Sequence, residues 1–296
     1  MTIAPTTYVY KTVGECAIKA DVYRLATTPA PSAALVFIHG GALINGSRAG
    51  IHPRQLARYL AADYTVISID YRLAPESKLP AIIEDLQDAL AWVRTAGPAL
   101  FQIDPARLAV VGHSAGGYLT LMAGCCVTPR PQALVAFYGY GDLVGDWYSK
   151  PDPFYCQQPL VTEAESGCFV QGPVISEPYS GRGKEKFYLY CRQQGRWPQE
   201  VGGRDPATDP TFFTPYCPRQ QVTSDYPPTL LLHGDRDTDV PYAQSVLMAE
   251  ALTQAGAPYE LITISEGEHG FDANQDDPQV GAAFDRVLRF LKQYCP

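Results

Sequence analysis

The chain has 296 residues, 46% of them hydrophobic and 18% charged, a balance that allows one large domain with a substantial core. Its formal net charge of −8 makes nucleic acid and anionic membrane surfaces unfavourable partners, so we expect neither. No signal peptide and no apolar run of membrane-spanning length is visible, which predicts a cytoplasmic protein. The eight cysteines are therefore expected to be free thiols, and no cysteine or histidine spacing suggests a metal site.

Short apolar runs alternate with longer amphipathic stretches, and this alternation predicts an α/β fold with a mostly parallel sheet between helices. The residues before position 30 are predicted to form an antiparallel hairpin at the sheet edge. Further strands are predicted over residues 34–39, 65–70, 108–112, 133–138, 229–233 and 259–265. Helices are predicted over residues 48–62, 80–95, 115–126, 242–255 and 280–294.

Residues 142–222 interrupt the alternation, because they lack strong periodicity and are rich in proline and aromatic residues. A structureless loop of that length inside a compact domain is improbable. We therefore expect an inserted lid over the carboxyl ends of the strands, with residues 1–141 and 223–296 forming the core domain. The alternative is a surface decoration with its own small core.

The pentapeptide GHSAG at residues 112–116 follows a predicted buried strand and begins a predicted helix. In that context the pattern G-x-S-x-G forms a sharp turn that lifts the serine hydroxyl above the sheet. Ser114 is therefore the candidate nucleophile, and an ordinary serine in a tight turn is the alternative.

A catalytic serine needs a base, and His269 lies in a glycine-rich loop directly after the last predicted strand. That position is the carboxyl edge of the sheet, level with Ser114, and the chain order serine, acid, histidine suits this type of site. Of the other four histidines, His39 and His113 belong to the glycine-rich turns, His233 is expected to pack at a strand end, and His52 is expected to have no partner.

Three aspartates in HGDRDTDVP are candidates for the acid that orients the base, namely Asp235, Asp237 and Asp239. Their spacing of two puts all three on one side of an extended segment, so periodicity does not distinguish them. The two that are not catalytic are expected to cap the turn.

The glycines of HGGA at residues 39–42 allow backbone amides to point towards a developing oxyanion. The expected donors are the amides of Gly41, Ala42 and Ala115. A plain turn is the alternative.

Four segments resemble the carboxylesterase and hormone-sensitive-lipase branch of the α/β-hydrolases, in which feruloyl-esterase-like and peptidase-like relatives are close. They are HGGALINGSR (39–48), DYRLAPESKLPAIIEDLQDALAWV (70–93), GHSAGG (112–117) and HGDRDTDVP (233–241). The resemblance extends from about residue 15 to residue 294 outside the insertion. It implies the eight-stranded α/β-hydrolase fold, hydrolysis without a cofactor, and the triad Ser114, Asp237 and His269, in which the acid lies three residues past the glycine of the HG turn.

The chain departs from this family in three places. Ala42 stands where a third glycine is common, and its methyl group narrows the approach to the amides. His113 stands where many members of the lipase branch have aspartate. The insertion at 142–222 lies where the relatives differ most, so the resemblance does not carry a substrate class.

These observations favour hydrolysis of a small-molecule carboxylic ester through an acyl-enzyme. One alternative is an amide hydrolase, either a formamidase or a small peptidase. In that case Glu163, Glu165 or Glu177 would bind a substrate amine. Another is a natural-product thioesterase or cyclase. A non-catalytic ligand receptor, the alternative of another class, would be expected to lack the base. The sequence indicates no particular oligomeric state.

Overall fold

The computed structural model describes residues 3–167, 172–177 and 184–296. Within them the strands are β1 (Thr6–Val13), β2 (Cys16–Tyr23), β3 (Ser32–Ile38), β4 (Thr65–Ile69), β5 (Ile103–His113), β6 (Ala133–Phe137), β7 (Thr229–Gly234) and β8 (Tyr259–Ile264). They form one eight-stranded sheet in the order β1-β2-β4-β3-β5-β6-β7-β8.

The sheet is antiparallel only at one edge. β1 pairs with β2 and β2 with β4 in antiparallel register, and every later pairing is parallel. The central strands β3, β4 and β6 are buried along their whole length, because helices and loops cover both faces of a parallel sheet. The predicted edge hairpin and the predicted eight-stranded, mostly parallel sheet are confirmed.

The helices of the described residues are α1 (Pro53–Ala61), α2 (Leu79–Phe101), α3 (Ala115–Cys126), α4 (Asp146–Ser149), α5 (Glu163–Gly167), α6 (Lys184–Gln194), α7 (Trp197–Gly202), α8 (Ala243–Ala255) and α9 (Pro278–Tyr294). In this part of the chain no helix has the length and apolar character needed to cross a membrane. Seven cysteines lie in the described part and form no disulfide there, whereas Cys168 lies outside it.

Two of the predicted helices were wrong in extent. Residues Arg48–Gly50 form a separate 3-10 turn, and α1 begins only at Pro53, because proline is preorganised for the first helical turn. His52 caps this helix by accepting a hydrogen bond from the Arg54 amide at 3.2 Å, so the expectation that it has no partner was also wrong. The helix expected to end at residue 95 continues to Phe101 through an internal proline, Pro98.

The two faces of the sheet carry separate apolar clusters. On β3, Leu35 and Phe37 belong to the cluster under α1 and α9, while Val36 and Ile38 belong to the cluster under α2 and α3. This alternation is the two-residue period of a strand whose two faces are both covered.

The described residues of the insertion at 142–222 pack into the second of these clusters. Tyr148, Trp197 and Phe213 are each at most 1% exposed and lie in the same cluster as α2 and α3. The Trp197 indole donates a hydrogen bond to the backbone oxygen of Ala42 at 3.1 Å. The described part of the insertion therefore shares the main core and contacts the loop that follows β3; residues 168–171 and 178–183 of the expected lid lie outside the described residues.

Candidate active site

The turn between β5 and α3 presents Ser114 at the carboxyl end of the sheet. Ser114 has φ 55° and ψ −119°, a conformation that ordinary side chains rarely adopt. A Cβ atom at Gly112 would lie 2.2 Å from the Gly116 oxygen, and one at Gly116 would lie 2.0 Å from the Ile38 oxygen. Both glycines are therefore required for α3 to approach the strands closely enough to form this turn.

The three residues predicted for the triad form one chain of hydrogen bonds. His269 Nε2 lies 3.1 Å from Ser114 Oγ, and His269 Nδ1 lies 2.8 Å from Asp237 Oδ2. The histidine follows β8 and the aspartate follows β7, so neighbouring strand ends bring them together. In this arrangement Nδ1 donates to the carboxylate and Nε2 accepts from the serine hydroxyl.

The structure separates the three aspartates that periodicity could not distinguish. The Asp237 side chain is fully buried, and its Oδ1 accepts hydrogen bonds from the amides of Asp239 and Val240 at 2.9 and 2.8 Å. Asp235 accepts from the Glu266 amide at 2.7 Å and joins two loops. The expectation that Asp239 caps the turn was wrong, because its side chain is directed towards His269, with Oδ2 3.5 Å from Nε2.

The electrostatics of the pair favour an ionised aspartate beside a basic imidazole. Burial acts to raise the pKa of Asp237, but hydrogen bonds from His233 and His269 outweigh it and hold the pKa well below its usual range. Burial acts to lower the pKa of His269, but the hydrogen bond to Asp237 and the charge of Asp239 outweigh it and raise the pKa. A carboxylate in this position fixes the imidazole tautomer and stabilises the imidazolium.

His113, inside the serine turn, belongs to a second polar group behind Ser114. Its Nδ1 lies 3.4 Å from Asp272 Oδ2 and its Nε2 lies 3.0 Å from the Gln55 amide nitrogen. Burial lowers the pKa of His113 even though Asp272 acts in the opposite direction, and this shift favours the neutral ring. The hydroxyl of Tyr138 donates to the same Asp272 carboxylate, and the Tyr138 ring packs against His269 with centroids 4.5 Å apart.

The remaining histidines have structural contacts. His233 is fully buried, as expected for a packing residue, and its Nε2 donates to the Val240 oxygen at 2.9 Å while Nδ1 accepts from Ser245 at 2.7 Å. The ring of His39 stacks on Tyr71 at 4.3 Å.

The loop after β3 brings two of the three expected oxyanion donors to the serine. Gly41 and Ala42 have φ angles of 107° and 56°, and neither amide donates a hydrogen bond to another described residue. A Cβ atom at Gly40 would lie 3.2 Å from Ser114 Cβ, so this loop touches the serine turn directly. The third expected donor, the Ala115 amide, is in the first turn of α3, where amides have no acceptor within the helix.

A cavity of about 340 Å³ opens over the serine. Its lining consists of Gly40, Gly41, Ala42, Asn45, His113, Ser114, Tyr138, Tyr188, Asp239 and His269. A neighbouring cavity of about 330 Å³ shares Asn45 and Tyr188 with it. Sequence reasoning missed Asn45, Tyr138 and Tyr188; the last comes from α6 in the insertion, where no periodic pattern indicated its direction.

The glutamates considered as amine ligands do not line this cavity. Glu177 pairs with Lys19 at 3.1 Å and with Arg48, while Glu165 lies 3.7 Å from Lys186. Within the described residues, no group of three or more histidine, cysteine, aspartate or glutamate side chains could hold a metal ion.

Family models match both ends of the chain. The model described as BD-FAE matches residues 20–146, and that of the prolyl oligopeptidase family matches residues 191–295. The chain is 30% identical over 278 residues to esterase LipC of Mycobacterium tuberculosis, a match that covers 92% of the chain and 61% of LipC. It is 26% identical to the non-reducing polyketide synthase Preu3 of Preussia isomera, covering 98% of the chain and 13% of the synthase. The chain thus spans less than two thirds of the length of either relative.

The fold also matches a solved structure. A thermophilic esterase from the Planctomycetes species Thermogutta terrifontis superposes with a TM-score of 0.70 at 21% sequence identity. The match covers 98% of this chain and 94% of that esterase. At this identity the comparison establishes a shared fold.

Proposed function

We propose that this chain is a serine hydrolase of the α/β-hydrolase superfamily that cleaves carboxylic esters through an acyl-enzyme intermediate; its two family-model matches and its similarity to esterase LipC support the superfamily. The observation that carries the proposal is the hydrogen-bonded chain from Ser114 through His269 to Asp237, which opens onto a cavity with two uncommitted amides. The similarity to esterase LipC supports ester hydrolysis as the reaction.

The geometry supports the following steps. Ser114 Oγ attacks the ester carbonyl while His269 Nε2 removes its proton, and Asp237 stabilises the imidazolium that forms. The amides of Gly41 and Ala42, with that of Ala115, stabilise the oxyanion; the loss of one such donor typically costs about 2.7–4 kcal/mol of transition-state stabilisation. His269 then protonates the leaving alcohol, and water deacylates Ser114 by the same route.

The insertion at 142–222 acts as a lid on this site, with residues 1–141 and 223–296 as the core domain. Two observations support this role. Tyr188 lines the cavity over the serine, and the Trp197 indole donates a hydrogen bond to the Ala42 oxygen in the loop that follows β3. A lid that shares the main core closes one side of the cavity without needing to fold separately.

The test is turnover of p-nitrophenyl esters from acetate to decanoate by wild type and by Ser114→Ala. We expect activity with an optimum at one acyl length, and its loss in the variant. Ser265→Ala, an exposed serine beyond β8, is the matched control and should keep full activity. Activity that survives in Ser114→Ala would refute the assignment.

Two further comparisons separate the alternatives on the same scaffold. p-Nitrophenyl butyrate and p-nitrobutyranilide differ only in the ester or amide bond, so a preference for the anilide would indicate an amide hydrolase. Labelling of Ser114 by a fluorophosphonate separates an enzyme from a receptor, because an unactivated serine does not react.

A second candidate is favoured by the similarity to polyketide synthase Preu3 over 98% of the chain. In it, the same triad acts as a thioesterase or cyclase on a natural-product intermediate. Faster turnover of a butyryl thioester than of the matched oxygen ester, beyond the ratio of their uncatalysed rates, would favour this candidate.

A further inference from the structure

Asp239 has two carboxylate oxygens in different surroundings. Its Oδ1 accepts hydrogen bonds from Tyr155 at 2.8 Å, from Arg192 at 2.7 Å and from the hydroxyl of Tyr188. No hydrogen bond from another described residue reaches its Oδ2, which lies 3.5 Å from His269 Nε2. The side chain is 21% exposed and lines the cavity over Ser114, so one oxygen is held by the protein and the other faces the substrate.

The position of Oδ2 places it beside the alcohol half of a bound ester. His269 Nε2 is the atom that protonates the leaving oxygen in the proposed reaction. A group 3.5 Å from Nε2 and on the wall of the same cavity lies beside the alcohol half of the substrate, next to the ester oxygen. A hydroxyl on the adjacent carbon of that alcohol reaches Oδ2 as a donor.

The surrounding charges favour a neutral donor over a cationic one. The fully buried Arg192 already offsets the charge of Asp239, at 2.7 Å, and it also pairs with Asp152 at 2.6 Å. During the proposed reaction His269 becomes an imidazolium beside Asp239 Oδ2. A substrate ammonium at Oδ2 would lie between these two cations, whereas a hydroxyl adds no charge.

We propose that Asp239 is a specificity-determining residue that accepts a hydrogen bond from a hydroxyl of the alcohol half, on the carbon adjacent to the one that carries the ester oxygen. Monoesters of vicinal diols and polyols are then the preferred substrates. This inference rests on the proposed esterase function and concerns the alcohol half alone. The wall that holds Asp239 comes from the insertion, through Tyr155, Tyr188 and Arg192.

The first test uses the unmodified protein. The three substrates are 2-hydroxyethyl, 2-methoxyethyl and 2-(dimethylamino)ethyl butyrate, which place a hydroxyl donor, an acceptor only, and a protonated amine at the same position. We expect kcat/KM for the hydroxyethyl ester to exceed that of the methoxyethyl ester by roughly ten- to hundredfold, after division by their alkaline hydrolysis rates, because the acceptor is charged. The 2-(dimethylamino)ethyl ester, although it also carries a donor, should have a lower kcat/KM than the hydroxyethyl ester.

The second test uses Asp239→Asn, which keeps the shape of the side chain. The donors at Oδ1 hold the amide oxygen at that position, so the amide NH₂ replaces Oδ2 and cannot accept a hydrogen bond from the substrate hydroxyl. The hydroxyethyl preference should fall to about one while methoxyethyl butyrate is still hydrolysed. Tyr155→Phe removes one donor from Oδ1 and leaves Oδ2 intact, and it should retain the preference.

The outcomes distinguish the two proposals. No turnover of any butyrate ester by wild type would overturn the esterase function itself. Turnover without a hydroxyethyl preference, or with a preference for the amine ester, would overturn the role of Asp239 alone. An equal loss on the hydroxyethyl and methoxyethyl esters in Asp239→Asn would assign the residue a structural role and also overturn it. The wild-type comparison decides the question even where that variant does not fold.

Discussion

Replacing Gly116 by alanine tests whether the close approach of α3 to β3 sets the position of Ser114, the proposed nucleophile. The added Cβ atom would lie 2.0 Å from the Ile38 oxygen and 2.6 Å from the His39 oxygen, both in the backbone. Real Cβ atoms essentially never approach other heavy atoms closer than 3.0 Å, so the two backbones must separate by about 1 Å. β3 is buried along its whole length and lies at the centre of the sheet, so α3 and Ser114 are the parts that move.

A displacement of this size affects rate more than stability. The hydroxyl of Ser114 lies 3.1 Å from His269, and a misplacement of about 1 Å at a catalytic group can cost about 10²-fold in rate. Overpacking of a core typically costs about 1–3 kcal/mol of unfolding free energy. We therefore expect Gly116→Ala to remain folded and to lose about 10²-fold in kcat/KM for p-nitrophenyl butyrate, with a lower urea midpoint.

Gly281→Ala is the matched control, because Gly281 lies within α9 and its added Cβ would meet no atom within 4 Å. This change should leave kcat/KM unaltered and stabilise the helix by about 1 kcal/mol. If Gly116→Ala matched wild type in both kcat/KM and urea midpoint, the argument that this glycine sets the serine turn would be refuted.

Three other predictions address the charges around the site. Neighbouring carboxylates raise the pKa of His269, so the imidazole stays protonated, and inactive as a base, up to a higher pH than an ordinary histidine. As the pH falls, kcat/KM should therefore drop with a midpoint above the ordinary histidine value of about 6.5. A midpoint at or below that value would contradict this prediction. Asp237→Asn should lower kcat for p-nitrophenyl butyrate by about 10⁴-fold with an unchanged circular dichroism spectrum, and a loss below tenfold would argue against its role. Arg192→Met leaves two carboxylates without their buried partner and should cost about 3–5 kcal/mol in urea unfolding; a cost under about 1 kcal/mol would mean that this ion pair contributes little.

Local signals in the sequence were sufficient for the sheet and for the serine turn. The apolar runs that predicted β3, β4 and β6 are strands buried on both faces, and the helix expected at 115–126 occurs over Ala115–Cys126. These features depend on backbone conformation and on periodicity within about ten residues, which a sequence displays directly. Ser114 and His269 could be proposed as partners because each follows a strand in a parallel sheet.

Periodicity failed in the insertion for a physical reason. Helix α6 buries Lys184, Phe187, Tyr190, Cys191, Arg192 and Gln193, so charged and apolar residues alike face the interior. A helix surrounded on most sides by protein has no polar face to alternate with an apolar one. The burial of Arg192 follows from its ion pairs with Asp152 and Asp239, which lie 40 and 47 positions away in the chain.

The sequence by itself determined the fold class, the serine turn and the position of His269 after the last strand, because each depends on residue types at short spacing. Periodicity left Asp235, Asp237 and Asp239 equivalent, and within the sequence only the family resemblance pointed to Asp237; the tertiary structure decided which contacts each of the three makes, because the loop bends and directs their side chains differently. The same holds for the entry of Tyr188 into the cavity. Side-chain direction in a loop, and contact across a long insertion, are set by packing between distant segments, which no local pattern records.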